Sequence, residues 1–412
     1  VSEAVAQSSG ADEGSGRWRA LALLACAELL GMSLWFSGSA VAPAVEREWG
    51  LAGSGSGWLT LAVQLGFVAG TLLSALLNLP DVLSARRLFA VSAAAGAAAN
   101  AAFALAAGGM AEGVALRFLT GVFLAGVYPP GMKVMATWFR RGRGMALGVL
   151  VGALTLGKAA PYLVNAVGSA DWRPNVLAAS GLALAGGLIV LLFVGDGPHA
   201  TAPARFDFGQ VARVFRNRGV RLANFGYFGH MWELYAMWTW APVMIRASLG
   251  ASGAENSLAE VASFVVIGSG AAGCVAAGLA ADRVGRTLVT SAAMCVSGAC
   301  CLAVGFLYGG PPWLLLLVAA IWGASVVADS AQFSACVTEL GDPRYMGTAL
   351  TLQTCCGFLL TTVTIHLVPL LEGRVGWRYA FAVLAAGPAV GVLAMLRLRS
   401  LPEAAALAHG RG

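Results

Sequence analysis

Charge is what this chain has least of. Only 11% of its 412 residues are Asp, Glu, Lys or Arg, against about 25% in soluble globular proteins. So few charges cannot coat a soluble surface of this size. Lysine is nearly missing: Lys133 and Lys158 stand alone among 26 cationic residues, and the rest are arginine. No basic cluster interleaved with stacking or groove-reading residues occurs, which argues against nucleic acid as a partner. The eight cysteines (Cys26, Cys274, Cys295, Cys300, Cys301, Cys336, Cys355, Cys356) all fall in apolar stretches and show no CxxC or Cys/His spacing. They read as small buried hydrophobes. No nucleophile–base pair, metal-ligand cluster or phosphate loop stands out, so an enzyme, a metal and an organic cofactor are not expected.

What the chain has in abundance is apolar. Hydrophobic residues make up 58% of it, and glycine supplies 54 more positions. Stretches of roughly 18 to 25 apolar residues recur along nearly the whole length, each long enough to cross about 30 Å of hydrocarbon. Backbone polar groups in lipid must bond within their own segment, so these stretches are predicted as helices. The expected spans are 20–42, 58–78, 88–107, 113–137, 145–168 and 176–194, then 221–245, 258–281, 288–309, 313–337, 346–370 and 378–397. The fold class is therefore an all-α membrane protein of about twelve transmembrane helices. The expected organisation is a disordered cytoplasmic tail (1–16, Ser/Gly/Ala/Glu-rich and without signal-peptide features), a six-helix bundle (17–194), a linker (195–220), a second bundle (221–399) and a tail (400–412).

Arginine placement orients these spans. With both ends inside, the cytoplasmic segments hold Arg17, Arg19, Arg86, Arg87, Arg140, Arg141, Arg143, Arg205, Arg213, Arg216, Arg218, Arg221, Arg283, Arg286, Arg344, Arg397, Arg399 and Arg411, and the outer loops only Arg47, Arg173, Arg246, Arg374 and Arg378. Basic residues accumulate on the cytoplasmic side of membrane proteins, so the net charge of +6 reflects topology.

The two halves repeat one another. Glu28-Leu29-x-x-Met32-x-x-Trp35 in the first span matches Glu233-Leu234-x-x-Met237-x-x-Trp240 in the seventh, 205 residues later. Trp172-Arg173 before the sixth span meets Trp377-Arg378 before the twelfth at the same offset. Two matches at one offset in equivalent places argue for duplication. Six-helix halves repeated in one orientation suit a protein that rocks two bundles about a central site.

Gly278-Leu-Ala-Ala-Asp282-Arg283-Val-Gly285-Arg286, between the eighth and ninth spans, resembles the signature loop of the major facilitator superfamily. Its first-half counterpart, Ser74-x-x-x-Asn78-Leu-Pro-Asp81-Val-Leu-Ser84-Ala-Arg86-Arg87, has lost a glycine and altered its spacing but keeps the Asp and the paired Arg. Arg117-x-x-x-Gly121-x-x-x-x-Gly126 in the fourth span is similar to another motif of that family. In the fifth span, the Gly-Pro that often ends a motif of proton-antiporting members is replaced by Ala160-Pro161. The resemblance covers roughly residues 17 to 400. It implies two pseudo-symmetric bundles, a cytoplasmic gate built on Asp81, Arg86, Arg87, Gly278, Asp282, Arg283, Gly285 and Arg286, and a multi-pass protein of a bacterial inner membrane. It names no cargo, because one fold hosts many functions.

Chemistry should lie in polar residues at membrane depth, where a charge costs at least about 2.5 kcal/mol. Glu28 and Glu233 lie near the bilayer midplane, Lys158 at the centre of the fifth span, and Asp329 in the tenth with Gln332 on the same face. His230 sits one turn from Glu233. Gln353 shares a face with Gly357, Thr361 and Thr364. Each has a structural alternative: the acids as interhelical acceptors, Lys158 as one half of a salt bridge, and Arg117 as a brace for the first span. Lys133, nearer the inner end, reads as a snorkelling side chain. The expected cavity set is Glu28, Arg117, Lys158, His230, Glu233, Asp329, Gln332 and Gln353, with Glu233 and Asp329 facing Lys158. In the linker, Phe208, Val211, Phe215 and the arginines 213, 216 and 218 suggest a short amphipathic helix on the inner leaflet. The function expected is secondary active transport, driven by a proton gradient, of a small organic anion or zwitterion by a monomer. Export of apolar or cationic compounds by proton antiport is the rival within that class. A transport-inactive sensor or scaffold is the rival outside it.

Overall fold

In a computed structural model the described residues are helical nearly throughout; they comprise 2–50, 55–167, 171–202, 204–207, 209–251 and 256–412. The first half contains α1 (Ser2–Trp49), α2 (Gly55–Leu76), the short α3 (Leu79–Val82), α4 (Ala85–Ala106), α5 (Met110–Leu124), α6 (Tyr128–Trp138), α7 (Arg143–Val167) and α8 (Arg173–Phe193). A connector carrying α9 (Gln210–Arg216) leads to α10 (Arg218–Ala251), α11 (Asn256–Val284), α12 (Arg286–Ala303), α13 (Pro312–Ala328), α14 (Ser330–Leu340), α15 (Met346–Val375), α16 (Trp377–Ala380) and α17 (Ala386–Arg399). The backbone is helical from Ser2, where the sequence predicts a disordered tail. In the connector, Val214 packs inward while Arg213 and Arg216 stay exposed; Phe208 lies outside the described residues.

Among the described residues, eleven helical segments are long and apolar enough to cross a membrane. The seventh expected span, α10, is the twelfth: its 34 residues suffice in length, but His230, Glu233 and its polar aromatics dilute its apolarity. Leu, Val and Phe side chains on the outer surfaces of both halves stay exposed, as lipid-facing residues do.

Glycine sets how closely these helices approach. Lipid tails are as apolar as leucine, so helix association here depends on close van der Waals packing at small residues. A methyl group at Gly66 would overlap the Phe118 carbonyl, and one at Gly121 the Val63 carbonyl, which locks α2 onto α5. Gly273 and Gly323 do the same for α11 and α13. Gly186 sits on the Ala27 carbonyl of α1, and Gly387 of α17 on the Gly229 carbonyl of α10.

The fourth span is interrupted in both halves. In the first half, α5 stops at Leu124 and α6 restarts at Tyr128-Pro129-Pro130, the kink the two prolines predict. In the second half, α13 gives way to α14 at Asp329. No proline marks that break, and the sequence did not announce it.

The halves meet along α7 with α11 and along α2 with α15. Gly148 and Gly152 of α7 lie against the backbone of Cys274 and Ala271 of α11. Near mid-depth Trp35 and Phe67 of the first half pack on Phe358 of the second at ring separations of 5.3 and 4.7 Å. Tyr235 joins them 4.8 Å from Phe358.

Candidate functional site

Two carboxylates tie the halves together on the basic face, and they do so in the same way. Asp282, at the end of α11, accepts from the backbone N–H groups of Gly144 (3.1 Å) and Met145 (2.9 Å) in the first turn of α7. Asp81, in α3, accepts from Gly347 (2.9 Å) and Thr348 (2.5 Å) in the first turn of α15. Each half therefore supplies an anion to a helix N-terminus of the other, where unpaired N–H donors and the helix dipole both favour negative charge. Gly278 permits the approach, since a methyl there would strike the backbone of Gly144 and Met145.

Arg286 locks the second-half side. Its guanidinium, 1% exposed, donates to both oxygens of Glu339 (2.7 and 2.6 Å), to Gln332 Oε1 (2.8 Å) and to Asp282 (3.3 Å). Gln332 in turn donates to the Gly144 carbonyl at 3.2 Å. Gln332 thus belongs to this closure and not to the central cavity where the sequence puts it. Its side chain leaves α14 toward α7 and is used up there.

On the first-half side the cation is Lys133. Its ammonium contacts Asp81 at 2.5 Å and the Pro80 carbonyl at 2.7 Å. Read from the sequence as a snorkelling residue, it is the counterion of the gate. Glu339, which no motif singles out, is the matching partner of Arg286. Arg86 reaches sideways to Asp196 (3.5 Å) and the Leu191 carbonyl, while Arg87 and Arg283 are exposed. Gly285 adopts φ +103°, a conformation that favours glycine.

The last residues close over this cluster. Arg411 donates to the Asp282 carbonyl at 2.5 Å, Thr287 N–H to the Gly412 carbonyl at 3.2 Å, and Ala408 N–H to Glu339 at 3.1 Å. His409 Nε2 lies 3.2 Å from the Arg140 carbonyl of the first half. The connector also docks here: Ala204 N–H donates to the Asp81 carbonyl, and Tyr345 hydroxyl to the Arg205 carbonyl, each at 2.9 Å.

Deeper in, the remaining candidates part ways. Arg117 is 1% exposed and donates to the carbonyls of Leu34 and Trp35 (both 2.9 Å) and to Asn100 Oδ1 (2.8 Å). This is the bracing geometry, on the very helix it was weighed against. Glu233 accepts from Ser297 (2.9 Å), Cys301 (3.1 Å) and Trp322 Nε1 (2.5 Å) on α12 and α13. It therefore points into its own half and away from Lys158. The sequence shows the midplane depth of Glu233 but not this rotation, which packing decides. His230 Nδ1 lies 2.8 Å from Asp329 Oδ1 at the α13–α14 break. Gln353 donates to Asn224 at 2.9 Å.

Glu28 has neither a hydrogen-bond nor an ion-pair partner among the described residues, and Lys158 has no acidic one. Both Glu28 carboxylate oxygens are buried and unpaired, pressed against Gly131 of α6 where a methyl would collide. The Lys158 ammonium rests 5.7 Å from the Phe36 ring centre. A cavity of about 20 Å³ lies one turn away along each of their helices, at Met32 of α1 and Leu154 of α7, with room for about one water. Its wall draws on both halves: Met32, Tyr128, Val151 and Leu154 from the first, and Tyr227, Met231, Leu234, Tyr235, Trp238, Val327, Ser330 and Phe358 from the second. Among the described residues, no group of three His, Cys, Asp or Glu is placed to hold a metal.

Comparison with known proteins agrees with this geometry. A profile described as Major Facilitator Superfamily matches residues 23–364, with a second match over 223–412. No curated protein gives a significant sequence match. Among solved structures, the human organic anion transporter MFSD10 (TETRAN) superposes with a TM-score of 0.73 at 15% identity, covering 92% of this chain and 99% of that one. The proton:xylose symporter XylE gives 0.74 at 15% identity, covering 94% and 96%. The E. coli fucose:proton symporter FucP gives 0.68 at 16% identity, covering 92% and 98%. At such identities the likeness speaks for the fold alone. Together with the profile match and the paired Asp-to-helix closures, it establishes that this chain belongs to the major facilitator superfamily of membrane transporters.

Proposed function

We propose that the protein is a proton-coupled importer of a small organic anion, working by alternating access in a bacterial inner membrane as a monomer. Its basic face would be cytoplasmic, and the conformation described would be the one closed on that side. One observation carries this reading: the basic face is sealed by hydrogen-bonded carboxylates, and the cavity behind the seal lies one helical turn from Glu28, a carboxylate without a hydrogen bond, and one turn from Lys158, an ammonium without an acidic partner among the described residues.

The division of labour follows from the partners. Lys158 would receive the anion. Glu28 would bind the proton, because an ionised carboxylate buried without a partner costs several kcal/mol. The His230–Asp329 pair, at the broken tenth span, would relay the change to α10 and α14. Glu233, already saturated by three donors, is a structural acceptor in this scheme. Solved relatives of this fold include, by their names, an organic anion transporter and two sugar:proton symporters. The proton is thus a plausible driver on general grounds, while the cargo must be argued from this chain.

The apolar wall together with the lone Glu28 favours a second reading, proton-antiporting export of apolar or cationic compounds. Flux measured in proteoliposomes with an imposed pH gradient separates the two. Uptake of an anion down the proton gradient supports the first. Extrusion of a lipophilic cation against it, with anions inert, supports the second.

A further inference from the structure

Resting on the transport reading above, we infer that the cargo is an amphipathic organic monoanion, with an aromatic or branched apolar body seated between the halves and its single carboxylate-like group on Lys158.

The wall chemistry comes first. Of the twelve residues lining the cavity, Ser330 alone is neither apolar nor aromatic, and none is charged or an amide. A hexose must keep every hydroxyl hydrogen-bonded when it leaves water, since each one stranded is costly. Methionine and aromatic side chains suit an apolar body instead, the first by filling irregular gaps and the second by stacking.

The unpaired polar atoms decide the rest. Trp238 is 1% exposed, and its indole N–H has no acceptor. Indole is a donor only, so this wall waits for an acceptor. Lys158 lies seven residues after Val151 and four after Leu154, on the same face of α7, one turn beyond the cavity. Tyr162, one turn further, donates to the Trp238 carbonyl at 3.4 Å. The ammonium and the indole thus stand at neighbouring depths on opposite halves. No carboxylate lies within salt-bridge distance of Lys158 among the described residues. A lone ammonium at membrane depth is costly, and a cargo anion offsets that cost.

A small zwitterion fits poorly. Its ammonium would need an acid beside Lys158, yet the acid with neither oxygen bonded is Glu28. That residue lies eight positions before Phe36 on α1, roughly 12 Å away along the axis, well beyond the charge separation of an α-amino acid. Asp329 has His230 beside it at 2.8 Å, and Glu233 is taken by its three donors.

The test uses purified full-length protein and a matched panel: 3-phenylpropionate, its neutral amide, phenylalanine, phenethylammonium and D-glucose. Binding is read by tryptophan fluorescence and thermal shift. The carboxylate should bind about tenfold or more tighter than the amide, the range expected of a charge-assisted hydrogen bond. Lys158→Met should abolish that difference, Lys158→Arg should retain most of it, and Trp238→Phe should weaken the carboxylate several-fold while sparing the amide. Equal binding of carboxylate and amide overturns the inference, as does preference for glucose, phenylalanine or the cation. No binding by the carboxylate, or discrimination that survives Lys158→Met, also overturns it. If Lys158→Met does not fold, the Lys158→Arg and Trp238→Phe pair decides the matter alone. Carboxylate preference in protein that shows no pH-driven flux leaves this inference standing and removes the coupling scheme. Proton-driven uptake of glucose does the reverse.

Discussion

The carboxylate of Asp81 accepts a 2.5 Å hydrogen bond from the backbone N–H of Thr348, 267 positions further along the chain. Asp282 reaches back to Met145 across 137 positions to make the equivalent contact in the opposite direction. Each aspartate also contacts a cation of its own half, Lys133 or Arg286, but its bonds to the other half's helix exist only while the basic face is closed, so the free energy of those bonds is a free energy of closure.

Replacing either aspartate by asparagine should therefore open that face. A hydrogen bond to a charged group is worth about 1.5–3 kcal/mol, so each of Asp81→Asn and Asp282→Asn should shift the closed-to-open ratio about ten- to a hundredfold. Alkylation rates of single cysteines introduced behind the seal would report it. Unchanged rates in both variants would mean that the packing of α7 on α11, and not the carboxylates, holds the halves together.

Arg286 and Glu339 should behave as one unit. Arg286→Met strands the buried Glu339 carboxylate and should cost about 3–5 kcal/mol, whereas removing both charges with Glu339→Leu as well should restore most of that loss. Thermal unfolding in detergent measures both variants. A double variant as unstable as the single one would contradict the assignment.

The two midplane glutamates should separate in assay. Glu28→Gln is expected to flatten the pH dependence of uptake while leaving cargo exchange. Glu233→Gln should lower the melting temperature, because the amide cannot accept from Ser297, Cys301 and Trp322 as a carboxylate does, and should keep pH-driven accumulation. The opposite pattern would return the coupling role to Glu233, where the sequence places it.

Residues 402–412 act as a strap over the closure. Deleting them removes the Arg411–Asp282, Ala408–Glu339 and His409–Arg140 contacts, and accessibility behind the seal should rise by a few-fold. His409→Ala with Arg411→Ala tests the same idea without truncation. Wild-type accessibility in both variants would reduce the strap to a passive end.

On the other face, Glu48 accepts from Trp172 (2.6 Å) and, with both oxygens, from Arg173 (2.9 and 2.7 Å). The Arg173 hydrogen bonds, followed by that of Trp172, hold its carboxyl below the usual carboxylate range. A lowered folded-state value means that the contribution is complete above the unfolded pKa of about 4.3 and is lost as pH falls through the folded value. The melting-temperature difference between wild type and Glu48→Gln should be small at pH 7, since the site is solvent-exposed, and should vanish once the pH falls below the lowered folded value. A difference that persists there would place its origin in packing.

The sequence by itself determined the fold class and a count of about twelve spans, and it carries the repeat and the loops proposed as a gate. Hydrophobic length, arginine placement and a constant 205-residue offset are local or additive properties, and they survive without knowing which helices touch. It placed Glu28, Lys158, Glu233 and Asp329 at membrane depth for the same reason: depth is a count of residues at a fixed rise. Only the tertiary structure decided which way each side chain turns and what it meets there. Rotation about a helix axis is set by neighbours hundreds of positions away, so Gln332 went to the gate, Arg117 to the carbonyls of α1 and Glu233 to its own half. Lys133 became the counterion of Asp81, and Lys158 and Glu28 were left without charged partners.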